Sequence, residues 1–197
     1  MDPMLASIVL LAPVAVWFAW RQNHHGVVGG PISLAKTIWL HYTMTMFFIV
    51  PFFFWRDQDL HAHVRLAFGL VFAAFVIRAV VQFGLAFIYR LWRCEYGIAH
   101  DLLVVAVIAA LAWGHAGSPL DWAASWLAIL VQASLLVEAF MAWQFRKLAD
   151  PRSGIYFAAP TRHFQFVNRA TWAAVGVGYP LLGWTLWWIN HERHTIA

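Results

Sequence analysis

The chain has 197 residues, of which 62% are hydrophobic and 11% are charged. Soluble domains average about 45–50% apolar and about 25% charged residues, so this composition excludes an ordinary soluble globule and indicates a membrane protein. The net charge of +4 is small and confined to short connections, which argues against nucleic acid as a partner.

Six apolar segments follow one another along the chain, each about long enough to cross roughly 30 Å of hydrocarbon. Tryptophans lie near many segment ends, where an indole prefers the headgroup region of the bilayer. No polar linker separates the segments, so residues 1–197 are predicted to form one transmembrane domain. The predicted fold is all-α, a polytopic integral membrane helical bundle of about six transmembrane helices, or five if the first lies along the interface. The segments are Met4–Trp20, Ile38–Trp55, Leu66–Tyr89, Gly97–Gly117, Trp122–Trp143 and Ala170–Ile189.

Lysine and arginine are concentrated in the connections after the first, third and fifth segments. The positive-inside rule places those connections in the cytoplasm and both termini in the periplasm. The sequence thus predicts a multi-pass protein of the bacterial inner membrane, with the lipid bilayer as its surroundings. The longest connection, residues 144–169, mixes basic with aromatic residues. It suits either the membrane surface or docking to other subunits of a membrane complex.

Histidines near both ends of the segments raise the possibility of haem ligation. A b-type haem with two axial imidazoles needs one histidine from each of two neighbouring helices at the same depth. His41 and His100 enter the second and fourth segments from the same side, and are predicted to hold an inner haem b. The corresponding outer pair is His115 with His63 or with His61. The alternative is that these are ordinary interfacial histidines, whose rings reach water and headgroups.

The histidines on the predicted outer side also allow a metal site. His61, His63, His115 and His191 lie on that side, together with several carboxylates. Imidazoles that converge with carboxylates can bind zinc, copper or nickel. The alternative is a solvated connection with ordinary polar residues.

Polar side chains within the apolar segments form a third candidate site. Arg78 lies near the middle of the third segment, with Gln82 one helical turn later. The fifth segment runs in the same direction and places Gln132 near the depth of Arg78, and Glu138 near that of Gln82. An Arg78–Glu138 ion pair is geometrically possible if the two side chains span an axial offset of about 6–9 Å. Such a group serves a proton path or a quinone headgroup site. The alternative is a polar lock that fixes helix pairing.

The last segment contains three glycines in the stretch GVGYPLLG, at positions 176, 178 and 183. Glycines at these positions allow a neighbouring helix or a flat cofactor to approach the backbone closely.

Three classes of function remain open, and the sequence identifies no catalytic residues. The preferred one is an integral membrane subunit of a bacterial electron-transfer complex, of respiratory or photosynthetic type, that binds haem b or contacts quinone. The second is a small transporter or channel, although no inverted repeat is visible. The third is a structural or assembly subunit without chemistry of its own.

Overall fold

The computed structural model describes residues 3–24, 34–89, 94–112, 117–146 and 162–196. Within these ranges all regular secondary structure is helical, which confirms the all-α prediction. The α-helices are α1 (Pro3–His24), α2 (Leu34–Met44), α3 (Val50–Arg56), α4 (Ala62–Phe83), α5 (Cys94–Ala112), α6 (Pro119–Arg146) and α7 (Arg162–Ile196).

Three helical stretches are long and apolar enough to cross a membrane: Thr37–Arg56, Ala62–Gln82 and Pro119–Gln144. A shorter apolar helix covers Pro3–Trp17. Many large apolar side chains point outward from the bundle, a distribution that suits lipid rather than water. The chain is therefore membrane-associated, whereas six crossings and periplasmic termini stay predictions.

A π-helical turn, Thr45–Ile49, joins α2 to α3 within one continuous helix. Pro51, two residues after this turn, causes it, because proline has no N–H to donate and its ring crowds the preceding turn. The Val50 N–H donates instead to the Thr45 carbonyl, five residues back. A second π-helical turn, Gly84–Ile88, extends α4. Sequence periodicity predicted neither turn.

The core of the bundle lies where α2 and α3 meet α4 and α6. The ring of Phe47 stacks on that of Phe75 with a centroid distance of 4.3 Å. The helix α5 packs chiefly against α6, and α6 also packs against α7. The helix α1 packs on α2. This arrangement brings residues of α2, α4, α5 and α6 together in the interior.

The start of α6 is fixed by a polar cap that also holds the start of α4. Ser118 precedes Pro119, and the Asp121 N–H donates to Ser118 Oγ at 3.0 Å. Ser118 Oγ in turn donates to Asp121 Oδ2 at 2.8 Å. Oδ1 of the same carboxylate accepts from the His61 N–H at 2.9 Å. One carboxylate therefore links two helix starts.

We expect Asp121→Ala to lower the free energy of unfolding by about 1–2 kcal/mol, because the His61 N–H, in a partly buried hydrogen bond, and the Ser118 hydroxyl both lose an acceptor. Asp121→Asn keeps an acceptor oxygen and is expected to lower it by less. Reversible denaturation in detergent measures both changes. Asp59→Ala, which removes an exposed carboxylate nearby, is the control. Equal losses for Asp59→Ala and Asp121→Ala would contradict the capping role.

Candidate functional site

A group of charged side chains is buried between α4, α5 and α6. Arg78 Nη1 donates to Asp101 Oδ1, and Arg78 Nη2 donates to Glu138 Oε1 at 3.4 Å. Arg78 is 6% exposed and Asp101 is 0% exposed. One guanidinium thus lies between two carboxylates from two other helices, inside a bundle whose surroundings are apolar.

Two further side chains complete this group, which we call the ionic cluster: Trp39, Arg78, His100, Asp101 and Glu138. The indole N–H of Trp39 donates to Glu138 Oε2 at 2.7 Å. His100 Nδ1 lies 3.2 Å from Asp101 Oδ1. The cluster therefore joins four helices, α2, α4, α5 and α6.

Each ring nitrogen of His100 lies within hydrogen-bond distance of an oxygen atom. Its Nδ1 faces Asp101 Oδ1, which already accepts from Arg78, and its Nε2 lies 3.0 Å from the Ala74 carbonyl oxygen. A carbonyl oxygen accepts only, and so does an ionised carboxylate. When Asp101 is ionised, both ring nitrogens therefore face acceptors, and only the doubly protonated imidazolium donates to both. The edge-to-face contact of Phe75 with the His100 ring, at 5.0 Å, helps to hold the imidazole in place.

The charges of the cluster balance when it holds one proton in addition to those of Arg78, either on His100 or on one of the two carboxyl groups. The two ionised carboxylates, Asp101 and Glu138, face the guanidinium of Arg78, which leaves one negative charge if His100 is neutral. An uncompensated charge in a low-dielectric interior is unfavourable, whereas a neutral group of paired ions is tolerated. The cluster is therefore built to hold one exchangeable proton. Asp101 Oδ2, which is buried and lacks a hydrogen-bond partner among the described residues, is a second place for a proton.

Gly97 lets α5 approach the guanidinium closely. A Cβ at this position would lie 3.1 Å from Arg78 Nη2 and 3.7 Å from Gln82 Nε2. Gln82 therefore lies at the border of the cluster, beside the arginine one turn before it. The Arg78 guanidinium also lies over the ring of Phe75, 5.3 Å from its centroid.

A second polar group, which we call the tyrosine group, lies between α1, α2, α6 and α7 and consists of His41, Tyr42, Ser134 and Tyr179. The hydroxyls of Tyr42 and Ser134 are 2.9 Å apart. Tyr179 Oη is 2.5 Å from His41 Nδ1, and His41 Nε2 lies 2.9 Å from the Ile8 carbonyl oxygen. A neutral His41 that carries its proton on Nε2 satisfies both bonds, with the Tyr179 hydroxyl as donor.

The two histidines of the predicted inner haem, His41 and His100, do not fit axial ligation as the structure places them. A haem iron needs one free ring nitrogen from each. All four ring nitrogens bond instead to protein groups, those of His41 to α1 and α7 and those of His100 to α4 and Asp101. In the outer pair, His115 lies outside the described residues. Haem binding stays a prediction of the sequence.

The predicted metal residues are distributed as follows. The rings of His61 and His63 stack with centroids 5.2 Å apart, and the His61 ring also accepts from the His63 N–H at 3.4 Å. His191 stacks on Trp187 at 5.6 Å. His115 is the fourth member and is not described. In the described part of the chain, no group of three or more histidine, cysteine or acidic residues is arranged to hold a metal ion.

Among the predicted polar residues, Arg78 and Glu138 are in contact, and Gln82 is beside them. Gln132 is buried, but its Nε2 has no hydrogen-bond partner in the described ranges. Sequence reasoning missed Asp101 and Trp39. The signal for Asp101 was available, since it lies near the start of α5, at the end of the bundle where α4 finishes.

Comparison with protein families, curated proteins and solved structures finds no match for this chain.

Proposed function

We propose that this chain is an integral membrane subunit of a bacterial electron-transfer complex, in which the ionic cluster exchanges a proton with a membrane quinone. The observation that supports the proposal is the composition of the cluster: two carboxylates, one guanidinium, and one imidazole with an oxygen acceptor at each nitrogen. Ionisable groups within a membrane bundle are rare and mark proton, ion or substrate paths.

The chemistry of quinone reduction fits these groups. Reduction of a quinone to a quinol consumes two electrons and two protons, and a redox partner subunit supplies the electrons in this proposal. His100 can release one proton to the quinone, take up another from the aqueous phase and release it as the second, whereas the guanidinium of Arg78 keeps its protons at any physiological pH. Loss of that proton leaves Asp101 and Glu138 with one excess negative charge, which favours proton uptake afterwards. The connection 144–169 is the proposed docking segment for the partner.

A structural subunit is the second candidate, and one specific observation favours it. The cluster takes a member from each of α2, α4, α5 and α6, and interhelical hydrogen bonds are among the few specific forces that act in lipid. In that case the cluster would hold the helices together without exchanging protons.

Quinone retained by the purified protein separates the two candidates. We expect solvent extraction and chromatography to recover about one quinone per chain. Glu138→Gln keeps an acceptor for Trp39 but removes one charge, so it is expected to reduce quinone content severalfold while thermal unfolding changes little. His100→Gln removes the exchangeable proton and is expected to do the same. His191→Gln, an exposed histidine at the other end of the bundle, is the control.

Absence of quinone from a folded parent protein, or equal quinone content in Glu138→Gln, would contradict the proposal and leave the structural role. A reduced-minus-oxidised absorption spectrum of the same preparation tests the haem prediction independently. A b-type band there would mean that histidines other than His41 and His100, or rearranged ones, ligate the iron.

A further inference from the structure

A cavity of about 690 Å³ lies at the opposite end of the bundle from the ionic cluster, between the start of α1 and the ends of α3 and α7. Its apolar lining includes Phe53, Phe54, Leu186 and Ile189. The volume falls within the roughly 300–1,000 Å³ that is typical of ligand pockets. The space is therefore large enough for part of an amphiphilic molecule.

The polar part of the lining carries excess positive charge. Arg56, Asp57 and Arg193 contribute two guanidinium groups against one carboxylate, with Asn190 beside them. Arg193 forms an ion pair with Asp57 across the helix ends. Arg56 is exposed and lies over the Phe52 ring at 5.9 Å, and no described carboxylate pairs with it. One positive charge is thus available to a ligand.

The cavity and its positively charged lining lie at helix ends, at the level where the chain passes from an apolar to a polar environment. The stretch Thr37–Arg56, which is long enough to cross a membrane, ends at Arg56. Trp187 also lines the cavity, and tryptophan is enriched at membrane interfaces. A ligand there would have its polar end in the headgroup region and its apolar end between the helices.

We infer that this cavity binds one anionic phospholipid, with its phosphate at Arg56 and Arg193 and the start of its acyl chains against Phe54, Leu186 and Ile189. The excess positive charge of the lining is complementary to an anionic headgroup, and the apolar side chains suit the acyl chains of a lipid rather than a free phosphate. This site is independent of the proposed redox function.

Native mass spectrometry of the detergent-purified protein tests the headgroup part of the inference. Phosphatidylglycerol and phosphatidylcholine with identical acyl chains are the probes. We expect one phosphatidylglycerol to be retained per chain, and phosphatidylcholine to bind at least about fivefold more weakly. Arg56→Gln should weaken phosphatidylglycerol binding about fivefold. Arg65→Gln removes a charge at the same end but outside the lining, and should leave binding unchanged.

Two glycines of α7 give a matched test of the cavity itself. A Cβ at Gly176 or Gly183 would meet no atom within 4 Å, so a substituted side chain begins in open space at both positions. Gly183 lines the cavity, whereas Gly176, two turns away on the same helix, does not. Gly183→Leu is expected to weaken phosphatidylglycerol binding by at least about fivefold, because its side chain fills the space. Gly176→Leu should bind like the parent.

Equal retention of the two lipids would overturn the inference, and so would parental binding by Gly183→Leu or by Arg56→Gln. Thermal unfolding of the two leucine variants shows whether each is folded. Parallel loss of binding in Gly176→Leu and Gly183→Leu would also count against the cavity.

Discussion

Replacing Arg78 with leucine is expected to lower the free energy of unfolding by about 3–5 kcal/mol, the largest effect among the variants considered. The guanidinium separates Asp101 from Glu138, and its removal leaves one buried and one partly buried carboxylate without a cation from α4. Reversible unfolding in detergent measures the loss. Because protonation removes the buried negative charges, the loss should shrink as the pH is lowered.

Compensating substitutions separate the charge effect from the loss of packing. Asp101→Asn and Glu138→Gln, added to Arg78→Leu, remove the uncompensated charges and should restore much of the lost stability. Arg65→Gln, a partly exposed arginine of the same helix, is the control and should change stability by less than about 0.5 kcal/mol. If Arg78→Leu is as stable as the parent at every pH, the cluster contributes nothing to folding.

Gly178→Ala is expected to lower the free energy of unfolding by about 1–3 kcal/mol, because the contact between α7 and α2 has no room for a methyl group. A Cβ at Gly178 would lie 2.6 Å from both Cζ and Oη of Tyr42. The ring cannot move away freely, since it is 2% exposed and its hydroxyl bonds to Ser134. Thermal unfolding in detergent measures the change.

Gly176→Ala provides the matched control two residues earlier. Its Cβ meets no atom within 4 Å, and alanine is the better helix former, so this variant should be as stable as the parent or slightly more stable. A smaller side chain at position 42, in Tyr42→Leu, should relieve part of the strain of Gly178→Ala. Equal stability of the two alanine variants would contradict the close packing of α2 and α7.

The helices could be predicted from the sequence, because long apolar runs have few alternatives in lipid. Over their described parts, the six predicted segments lie on helices except at the last residues of two of them, Tyr89 and Gly117. The π-helical turns at Thr45–Ile49 and Gly84–Ile88 could not be predicted from the sequence, since they depend on which backbone hydrogen bonds form around each turn. Hydropathy is likewise insufficient to establish six crossings, as three helical stretches in the described part of the chain meet the length and composition of a span.

The candidate site was predictable only in part. Depth along parallel segments placed Arg78 level with Gln132 and allowed an Arg78–Glu138 pair only across an axial offset, and that pair is present in the structure. Trp39 was assigned to the headgroup region by its place near a segment end, but its indole bonds to Glu138. Asp101 follows a histidine near the start of its segment, where a carboxylate usually faces water. Which way such a side chain turns is decided by tertiary packing.

The three glycines of α7 illustrate the same limit. The sequence marked positions 176, 178 and 183 as points of close approach, without distinguishing among them. The structure brings a neighbour against Gly178 alone, and it leaves open space at the other two. Their spacing therefore identified the helix that packs closely, but not the residue that makes the contact.

Nitrogen-15 NMR of the His100 imidazole, assigned by comparison with His100→Gln, tests the charge balance of the ionic cluster most directly. In the parent protein at neutral pH, both ring nitrogens are expected to carry protons, because Asp101 Oδ1 and the Ala74 carbonyl both accept from them. Glu138→Gln removes one of the two negative charges of the cluster. Arg78 then balances Asp101 without a charge on His100, so one ring nitrogen of His100 should lose its proton. A bare ring nitrogen in the parent protein at neutral pH would contradict the account.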